Sequence, residues 1–505
     1  MKRILYIAIA AVALSTTVSF AQDRYDAVRW SQYFYDGTAR FSAMGGAFGA
    51  LGGDFAALSV NPAGIGVYRS AEFSVTPSYL TVNTKSSFTG QAAESRSKNH
   101  GDFNFGYVQP FIFSNDNQGL VSLSLGLGYN TMRDYNYNAF AYNKSESSWL
   151  DAVLDKMKNN SGYFDPGYME SDYRYENFGA GDWDAVLAWN SLLIDQDSAG
   201  FYNALGYGDI IEQRRLVESR GSNSEFVFSF GGNYSNSLYF GATIGIQDIS
   251  YKRTVTHSED VLETGTGTEL NWFDYREFFE TEGSGVNLKL GLLYRVNDNL
   301  RFGLAVHTPT WFNLTDYYRA SMQSQFKKPP QDANGTQFAD ETVWNEYDYT
   351  VTTPARYNLS AAYLFSNIGA VSLDYEYVDY ATIRMKDRYE SNYGDSFDTE
   401  NEDIKNEFTG ASNIRLGAEI KPVTNFSIRA GYAFYGSPYK KSSGGNPSTQ
   451  IYSFGLGYRI DGFFIDAAYK YLTSKSGLYR IYSDSNTISE KYSTSQFALT
   501  LGFRF

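Results

Sequence analysis

The chain has 505 residues, a net charge of −14 and no cysteine, and it is rich in tyrosine (43), phenylalanine (37) and glycine (46). The lack of cysteine excludes disulfides and thiolate metal sites. The acidic balance argues against a nucleic-acid partner, because phosphate binding requires basic clusters. Beyond the first 21 residues no apolar run approaches the roughly 20 residues of a membrane helix, which excludes a helical inner-membrane transporter.

The chain begins with a stretch that has the three parts of a secretory signal peptide. Two basic residues, Lys2 and Arg3, precede an apolar run at 4–14, and a small-x-small cleavage site ends at Ala21. The apolar run is too short for a retained membrane anchor. We therefore expect residues 1–21 to be a signal peptide.

Residues 22–71 are too compact for a linker and too short for a domain. They contain two runs of small residues, SAMGGAFGALGG (42–53) and FAALSVNPAGIG (55–66). Such runs suit tightly turned backbone that packs against other backbone. The segment precedes every predicted strand and therefore does not belong to the sheet that follows.

Fourteen segments from residue 72 onward alternate apolar and polar residues with the period of a β-strand. In the last one, Phe497, Leu499, Leu501 and Phe503 alternate with small or polar residues. An even strand count is what a closed bacterial barrel requires. The segments are 72–82, 102–112, 119–130, 224–234, 237–251, 286–295, 300–307, 355–365, 369–380, 412–420, 426–434, 450–459, 463–473 and 495–505.

Short, turn-rich links alternate strictly with long connections, as the periplasmic and extracellular faces of an outer-membrane barrel do. The sequence therefore predicts an all-β fold, a 14-stranded antiparallel transmembrane β-barrel over residues 72–505, in the bacterial outer membrane. Its lumen is wide enough to leak, so we expect residues 22–71 to be an N-terminal hatch that plugs it. The main extracellular loops are expected at 131–223, 252–285, 308–354 and 381–411.

The second long connection, 131–223, is too long to be left without structure. Trp149, Val153 and Met157 repeat at i, i+4 and predict an amphipathic helix. Asp182 is placed to cap a second helix. We expect this loop to cover the barrel mouth, extend a ligand groove or dock a partner protein.

The third long connection is rich in aromatic residues. Leu270, Phe273 and Phe278 recur near helical spacing, with Trp272 beside them. One interpretation is an apolar extracellular groove for a ligand. The other is a helix that packs these side chains onto the barrel rim.

Strand parity directs a set of charged side chains into the lumen. Lys289, His307, Arg356 and Arg415 are placed in its upper half and are candidate contacts for a ligand carboxylate, a role that suits arginine. The alternative is a luminal salt-bridge network that anchors the hatch. The inward set also contains Arg295, Arg301, Asp374, Glu376, Glu419, Arg429, Arg459 and Arg504.

Three stretches carry a family resemblance. Residues 42–66, with Asn61-Pro62-Ala63 in an NPA motif, look like the N-terminal hatch of the FadL/TodX family of outer-membrane hydrophobic-compound transporters. The stretches 283–318 and 413–438 agree with the same family. The resemblance implies a 14-stranded barrel closed by a hatch.

In that family, long-chain fatty acids or other apolar molecules are captured in an extracellular groove and pass to a luminal pocket. They then leave sideways into the outer-membrane lipid. The lateral gap lies at a kinked third strand, and the third strand here contains Gly126 and Gly128. The resemblance therefore implies passive uptake of hydrophobic small molecules. The loop 131–223 departs from the family, and some members act as adaptors in secretion or assembly complexes, which is the alternative function.

An enzyme is disfavoured. Gly394-Asp395-Ser396 resembles a nucleophile motif, but no histidine base follows it. We expect no cofactor and no metal site.

Overall fold

The computed structural model describes residues 24–99, 101, 103–113, 118–265, 269–330, 333–389, 397–443, 448–480 and 487–505. The predicted signal peptide and the Gly394-Asp395-Ser396 motif lie outside these residues.

Fourteen antiparallel strands form a closed ring, as predicted. The ring closes where the first strand pairs with the last, from Glu72 opposite Arg504 to Phe88 opposite Ile488. The wall strands are β1 (Glu72–Phe88), β2 (Phe103–Ile112), β3 (Leu120–Asp134), β4 (Ile210–Tyr234), β5 (Leu238–Glu263), β6 (Leu270–Arg295), β7 (Leu300–His307), β8 (Arg356–Leu364), β9 (Gly369–Asp379), β10 (Gly410–Val423), β11 (Phe426–Tyr435), β12 (Thr449–Ile460), β13 (Phe463–Arg480) and β14 (Thr487–Arg504).

The alternation along each strand divides the wall into an apolar outer face and a more polar inner face. In β14, Phe497, Leu499, Leu501 and Phe503 are exposed on the outside, whereas Thr500 is buried on the inside. All fourteen predicted segments are confirmed. The pattern follows from an outer face that contacts lipid hydrocarbon and an inner face that does not.

Three wall strands extend far beyond the apolar band at the end that carries the long connections. β4, β5 and β6 contain 25, 26 and 26 residues. Above Val286, β6 pairs with the strand Trp311–Phe326 instead of β7. Most of 252–285 is therefore strand, and the prediction of a loop there was wrong. The helix considered for residues 268–280 is likewise strand from Leu270 onward.

A cap of short elements covers this end. Its helices are Trp149–Asn159, Pro166–Met169, Arg174–Asn177, Trp183–Asn190 and Asp398–Glu407, with 3₁₀ turns at Ala180–Asp182, Tyr380–Thr382 and Lys441–Ser443. Its strands are Gln91–Asn99, Tyr137–Ser145, Ile194–Asp197, Gly200–Asn203, Trp311–Phe326, Gln337–Glu341, Asn345–Thr352 and Arg384–Asp387. One aromatic-rich core joins the cap to the mouth of the ring.

Both helices predicted in 131–223 are present. Ser148 caps the first through a capping box with Asp151. Asp182 occupies the N-cap position of the second, but its side chain makes no capping hydrogen bond. Within the described residues, no helix has the length and apolar character needed to cross a bilayer.

The N-terminal residues form a separate unit inside the ring. Helices Arg24–Ser31 and Ala39–Ala43 are followed by 3₁₀ helices Phe55–Ser59 and Pro62–Val67. At one end Arg24 Nε donates to Glu407 Oε2 in the cap, at 3.0 Å. At the other, Ala71 N donates to Phe505 O beside the short turns, at 3.1 Å. The segment therefore runs through the whole lumen.

Candidate functional site

The luminal segment, residues 24–71, is bonded to inner-face groups of strands around the ring. Ala39 N donates to Thr500 Oγ1 on β14 at 2.7 Å, and Gly45 N to Ser453 Oγ on β12 at 3.1 Å. Further bonds of the same kind reach Gln247, Leu292, Arg301, His307, Asp374 and Glu376. The segment is held by polar contacts as well as by packing, as a plug requires.

Inward-facing glycines of the wall make room for this segment. A methyl group built on Gly303 would overlap Gly49 O, and one on Gly431 would overlap Gly45 N. The same holds for glycines on other strands, which meet Asn61, Pro62, Phe55, Ile65 or Met44. Glycine in a strand allows another backbone to approach closely. Docking of the luminal segment thus explains these strand glycines.

The NPA stretch is the corner where hatch and wall meet. Asn61 Oδ1 accepts from Ala63 N at 3.1 Å and caps the 3₁₀ helix that Pro62 begins. The Asn61 amide donates to Gly49 O within the hatch, at 2.7 Å, and to Leu292 O on β6, at 3.1 Å. One buried side chain therefore joins two turns of the hatch to the wall.

The four candidate luminal contacts all point inward, and each has a protein partner. Lys289 forms an ion pair with Glu225. The His307 ring hydrogen bonds through Nε2 to Val60 O, at 2.9 Å. Arg356 and Arg415 share Glu376, at 3.2 and 3.6 Å, and Arg415 also lies 3.8 Å from Asp374.

Arg356 and Arg415 also hold residues 24–35, the N-terminal arm of the luminal segment. The Arg356 guanidinium lies over the Tyr33 ring at 4.0 Å and donates to Ser31 O. Arg415 lies over the Tyr35 ring at 4.8 Å. Cation–π contacts of this kind strengthen when they are shielded from water. In this conformation the cations support the arm.

Trp30 joins the arm to the cap. Its ring is fully buried and meets Tyr135 and Tyr251 edge to face, with ring centroids 5.5 and 5.3 Å apart.

A buried carboxyl group lies just above the apolar band. Asp316 is buried beside Thr281, whose hydroxyl donates to it at 2.7 Å. Burial raises the pKa of Asp316 to about 8.

The four candidate groove residues do not share one face. Leu270 and Phe273 point inward and are buried in the cap core. Trp272 and Phe278 are half-buried on other parts of the strand surface, and Phe278 meets exposed Trp344 edge to face at 5.4 Å. A helix would have grouped them, whereas the period of a strand separates them.

The wall has a seam next to the luminal segment. β1 and β2 pair only from Glu72 opposite Val108 to Pro77 opposite Phe103. Above this point β1 pairs with the cap strand Gln91–Asn99. Among the described residues, no backbone ladder joins the cap strand Gln91–Asn99 to its neighbour Tyr137–Ser145. A side-chain bond connects the two strands instead, from Ser95 Oγ to Asn138 O at 2.6 Å.

The third strand is irregular at the same level. The β3–β4 register shifts between Thr131 and Arg133, and Phe34 N of the luminal segment donates to Met132 O at 3.2 Å. The ladders of β3 run unbroken past Gly126 and Gly128, so these glycines do not interrupt the wall. They face Phe55, Leu58 and Ile65 of the luminal segment.

A cavity of about 10 Å³ lies at the seam and is lined by Asp36, Gly37, Thr76, Ser78, Phe103, Asn104, Thr131 and Gln496. Beside it, the Asn104 amide on β2 donates to Tyr129 O on the adjacent strand β3 at 3.0 Å. The space suffices for about one water molecule. The seam is therefore closed in this conformation.

At the short-turn end, a second cavity of about 330 Å³ lies below the hatch. Its walls are mainly polar and carry six arginines and one lysine, of which Arg40 and Arg69 belong to the hatch and the others to the strands. An alkyl chain or an aromatic ring gains little by entering such a surface, because it finds few apolar groups there.

A closed 14-stranded barrel with an apolar outer band and a buried N-terminal segment defines an outer-membrane β-barrel protein with an internal plug. Residues 228–504, more than half of the chain, match the model of the outer membrane protein transport protein family (OMPP1/FadL/TodX). The chain belongs to this family of outer-membrane transporters of hydrophobic compounds, which is not a family of enzymes.

Solved structures share the fold. The P. putida toluene transporter TodX is similar with a TM-score of 0.50 and 14% identity, over 94% of this chain and 99% of that chain. A Pseudomonas aeruginosa FadL homologue gives a TM-score of 0.53 and 11% identity, over 94% and 100%. No curated protein sequence matches the chain significantly.

Proposed function

We propose that this barrel takes up hydrophobic small molecules, long-chain fatty acids or aromatic hydrocarbons, and releases them sideways into the outer membrane after movement of the hatch at residues 22–71. The free energy comes from burial of apolar surface, and transfer from a protein site to lipid is close to neutral. No nucleotide or proton gradient is needed. The similar fold of the solved toluene transporter supports the inclusion of aromatic hydrocarbons in the substrate class.

The axial route is unfavourable for such a substrate. The luminal segment fills the ring, and its buried core includes Phe41, Phe48, Phe55 and Trp30. Below it lies the polar, arginine-rich cavity at the periplasmic end. An apolar molecule that passed the hatch would meet charged groups and water, which favours an exit through the wall.

The seam is the single observation that carries the proposal. It lies where the β1–β2 ladder ends, at Pro77 and Phe103, and Phe103 is exposed on the lipid side. The luminal segment touches it through Gly37 and through the bond from Phe34 to Met132. Withdrawal of this part of the hatch would open the wall with the loss of few backbone hydrogen bonds.

Capture is proposed to begin on the cap. Trp344 and Val343 are each 51% exposed, and Phe278 lies against Trp344. Exposed apolar groups of this kind often mark binding sites. The path from there to the lumen leads to the aromatic core around Trp30, which an aromatic or alkyl ligand would contact after the N-terminal arm has moved.

The test is mass spectrometry of the small molecules and proteins that co-purify from one gently detergent-extracted sample. We expect a fatty acid or hydrocarbon at close to one per barrel. The test variant is the Phe278→Ser, Trp344→Ser double variant, which alters the proposed capture site and should retain the fold but lose most of the bound molecule. A wild-type barrel free of any apolar molecule would contradict the proposal.

The alternative is an adaptor that holds a protein through the cap. Tyr163, Tyr168 and Tyr173 are 47%, 61% and 67% exposed on one stretch of the loop 131–223. Exposed tyrosines are enriched where proteins bind each other. The same sample decides between the two functions, since an empty barrel with a protein partner at one per barrel would favour the adaptor.

A further inference from the structure

The periplasmic cavity has a charge opposite to that of the chain as a whole. The chain carries a net charge of −14, yet the charged side chains around the cavity comprise seven cations and two carboxylates. The cations are Arg40, Arg69, Arg301, Lys421, Arg429, Arg459 and Arg504, and the carboxylates are Glu419 and Asp466. Positive charge is therefore concentrated at this cavity in an otherwise acidic protein.

Part of the charge is used in pairs. Glu419 binds Arg429 at 2.6 Å and Arg40 at 3.2 Å, and Asp466 also binds Arg429. Arg504 pairs with Glu72 on the adjoining strand β1. Both carboxylates that line the cavity are therefore paired with Arg429 or Arg40, two arginines that are largely shielded from water.

Among the described residues, Arg301, Lys421 and Arg459 are less fully paired than the other cations on the strands around the cavity. Within the described part of the chain, the side-chain hydrogen bond of Arg301 goes to a backbone oxygen, Leu51 O, at 3.0 Å. Lys421 lies 3.9 Å from Glu419, which already binds two arginines. Among the described residues, no carboxylate lies within ion-pair distance of Arg301 or Arg459.

Two guanidinium groups share one aromatic ring at the edge of the cavity. Arg459 and Arg504 lie over the Phe464 ring, at 5.5 and 5.6 Å from its centroid. Two residues from Arg459 on the same strand is Gly457, where a Cβ would overlap the Asp466 carboxylate and the Arg429 guanidinium. Planar guanidinium groups bind carboxylate and phosphate through paired hydrogen bonds. The ring and the glycine fix where these groups can lie.

We propose that this cavity is a binding site for an oxyanion, a phosphate or a carboxylate group, that reaches it from the periplasmic side. A volume of about 330 Å³ admits such a group with a short attached chain but no folded peptide element. The group would lie among Arg301, Lys421 and Arg459, whose charges it would neutralise. Two sources have this chemistry, a free periplasmic anion and the head group of an inner-leaflet phospholipid.

The test measures binding to the whole barrel. One arm titrates inorganic phosphate into protein in a neutral maltoside detergent and follows the heat released. The other arm counts phosphatidylglycerol bound to protein from vesicles of phosphatidylcholine with one-fifth phosphatidylglycerol, roughly the charge density of an anionic leaflet. The variant is Arg459→Gln with Lys421→Gln, two exposed side chains that make no hydrogen bond to residues 24–71, the described part of the hatch.

The control variant, Arg276→Gln with Lys327→Gln, removes the same charge from exposed positions of the cap. We expect saturable binding in at least one arm, weakened at least about tenfold by the cavity variant, as for loss of a charge-assisted hydrogen bond, and unchanged in the control. Phosphate binding would identify a free anion, and binding from vesicles alone a lipid head group. Absence of saturable binding in both arms, or equal losses in both variants, would overturn the proposal.

Discussion

Asn61→Ala is the sharpest perturbation of the hatch. It removes the cap on Ala63 N and the amide bonds to Gly49 O and Leu292 O, which are 3.1, 2.7 and 3.1 Å long. Each such bond contributes about 1 kcal/mol net, so the state in which this corner is both folded and docked should be destabilised by about 3 kcal/mol relative to a state in which all three bonds are broken. The population of that locally unfolded, undocked state should then rise about a hundredfold. The wall ladder contains none of these bonds and should stay closed.

The assay is hydrogen exchange of the barrel in lipid nanodiscs, followed by mass spectrometry. Amides in 48–66 should exchange far faster in the variant, while those in 497–505 should not change. Asn190→Ala is the matched control, since its amide also donates to two backbone carbonyls, Met169 O and Val186 O, but lies in the cap. Wild-type protection of 48–66 in Asn61→Ala would refute the view that this side chain fastens the hatch.

Three further results are expected. Gly303→Ala should loosen the hatch around Gly49, because the new methyl group overlaps the Gly49 carbonyl, and exchange of neighbouring amides would report it. Ser148→Ala should cost the helix Trp149–Asn159 about 1 kcal/mol, seen as faster exchange in its first turn. Asp316 stays protonated in the fold up to about pH 8, whereas an unfolded aspartate ionises near pH 4. Cap stability should therefore fall as the pH rises from about 4 to 8, and tryptophan fluorescence during heating should show a smaller fall in Asp316→Asn.

The wall could be predicted from sequence because lipid imposes a strict rule on one face. In β14 every second residue from Phe497 to Phe503 is apolar and exposed, and the same alternation located all fourteen strands. Above the apolar band this rule ends. There the inward side chains of Phe273, Tyr275 and Phe279 pack into the cap core. Because the outward Phe278 is also aromatic, the spacing of apolar residues in the sequence resembles that of an amphipathic helix.

The site was less accessible to sequence reasoning because its contacts join distant residues. Parity placed Arg356 and Arg415 in the lumen, but nothing local indicated that Tyr33 and Tyr35 would lie against them. Glu225 was missed, although the outward phenylalanines that follow it place it inside by the same parity rule.

The family resemblance relates Gly126 and Gly128 of the third strand to a kink. These glycines, like Gly303 on β7, lie against the hatch, and a contact between residues so distant in the sequence has no local pattern that would predict it.

Cross-linking of the seam tests the central claim most directly. The chain has no cysteine, so Ser78→Cys with Thr131→Cys places the only two thiols on either side of the seam cavity, where a short cleavable linker can join them. The control pair, Ser229→Cys with Thr243→Cys, joins adjacent strands that are already hydrogen-bonded. Uptake of radiolabelled long-chain fatty acid and toluene would be measured in cells.

Lateral release predicts that uptake falls at least about tenfold when the seam is joined and recovers when the linker is cut, with no change in the control. Undiminished uptake through a fully cross-linked seam would contradict the account.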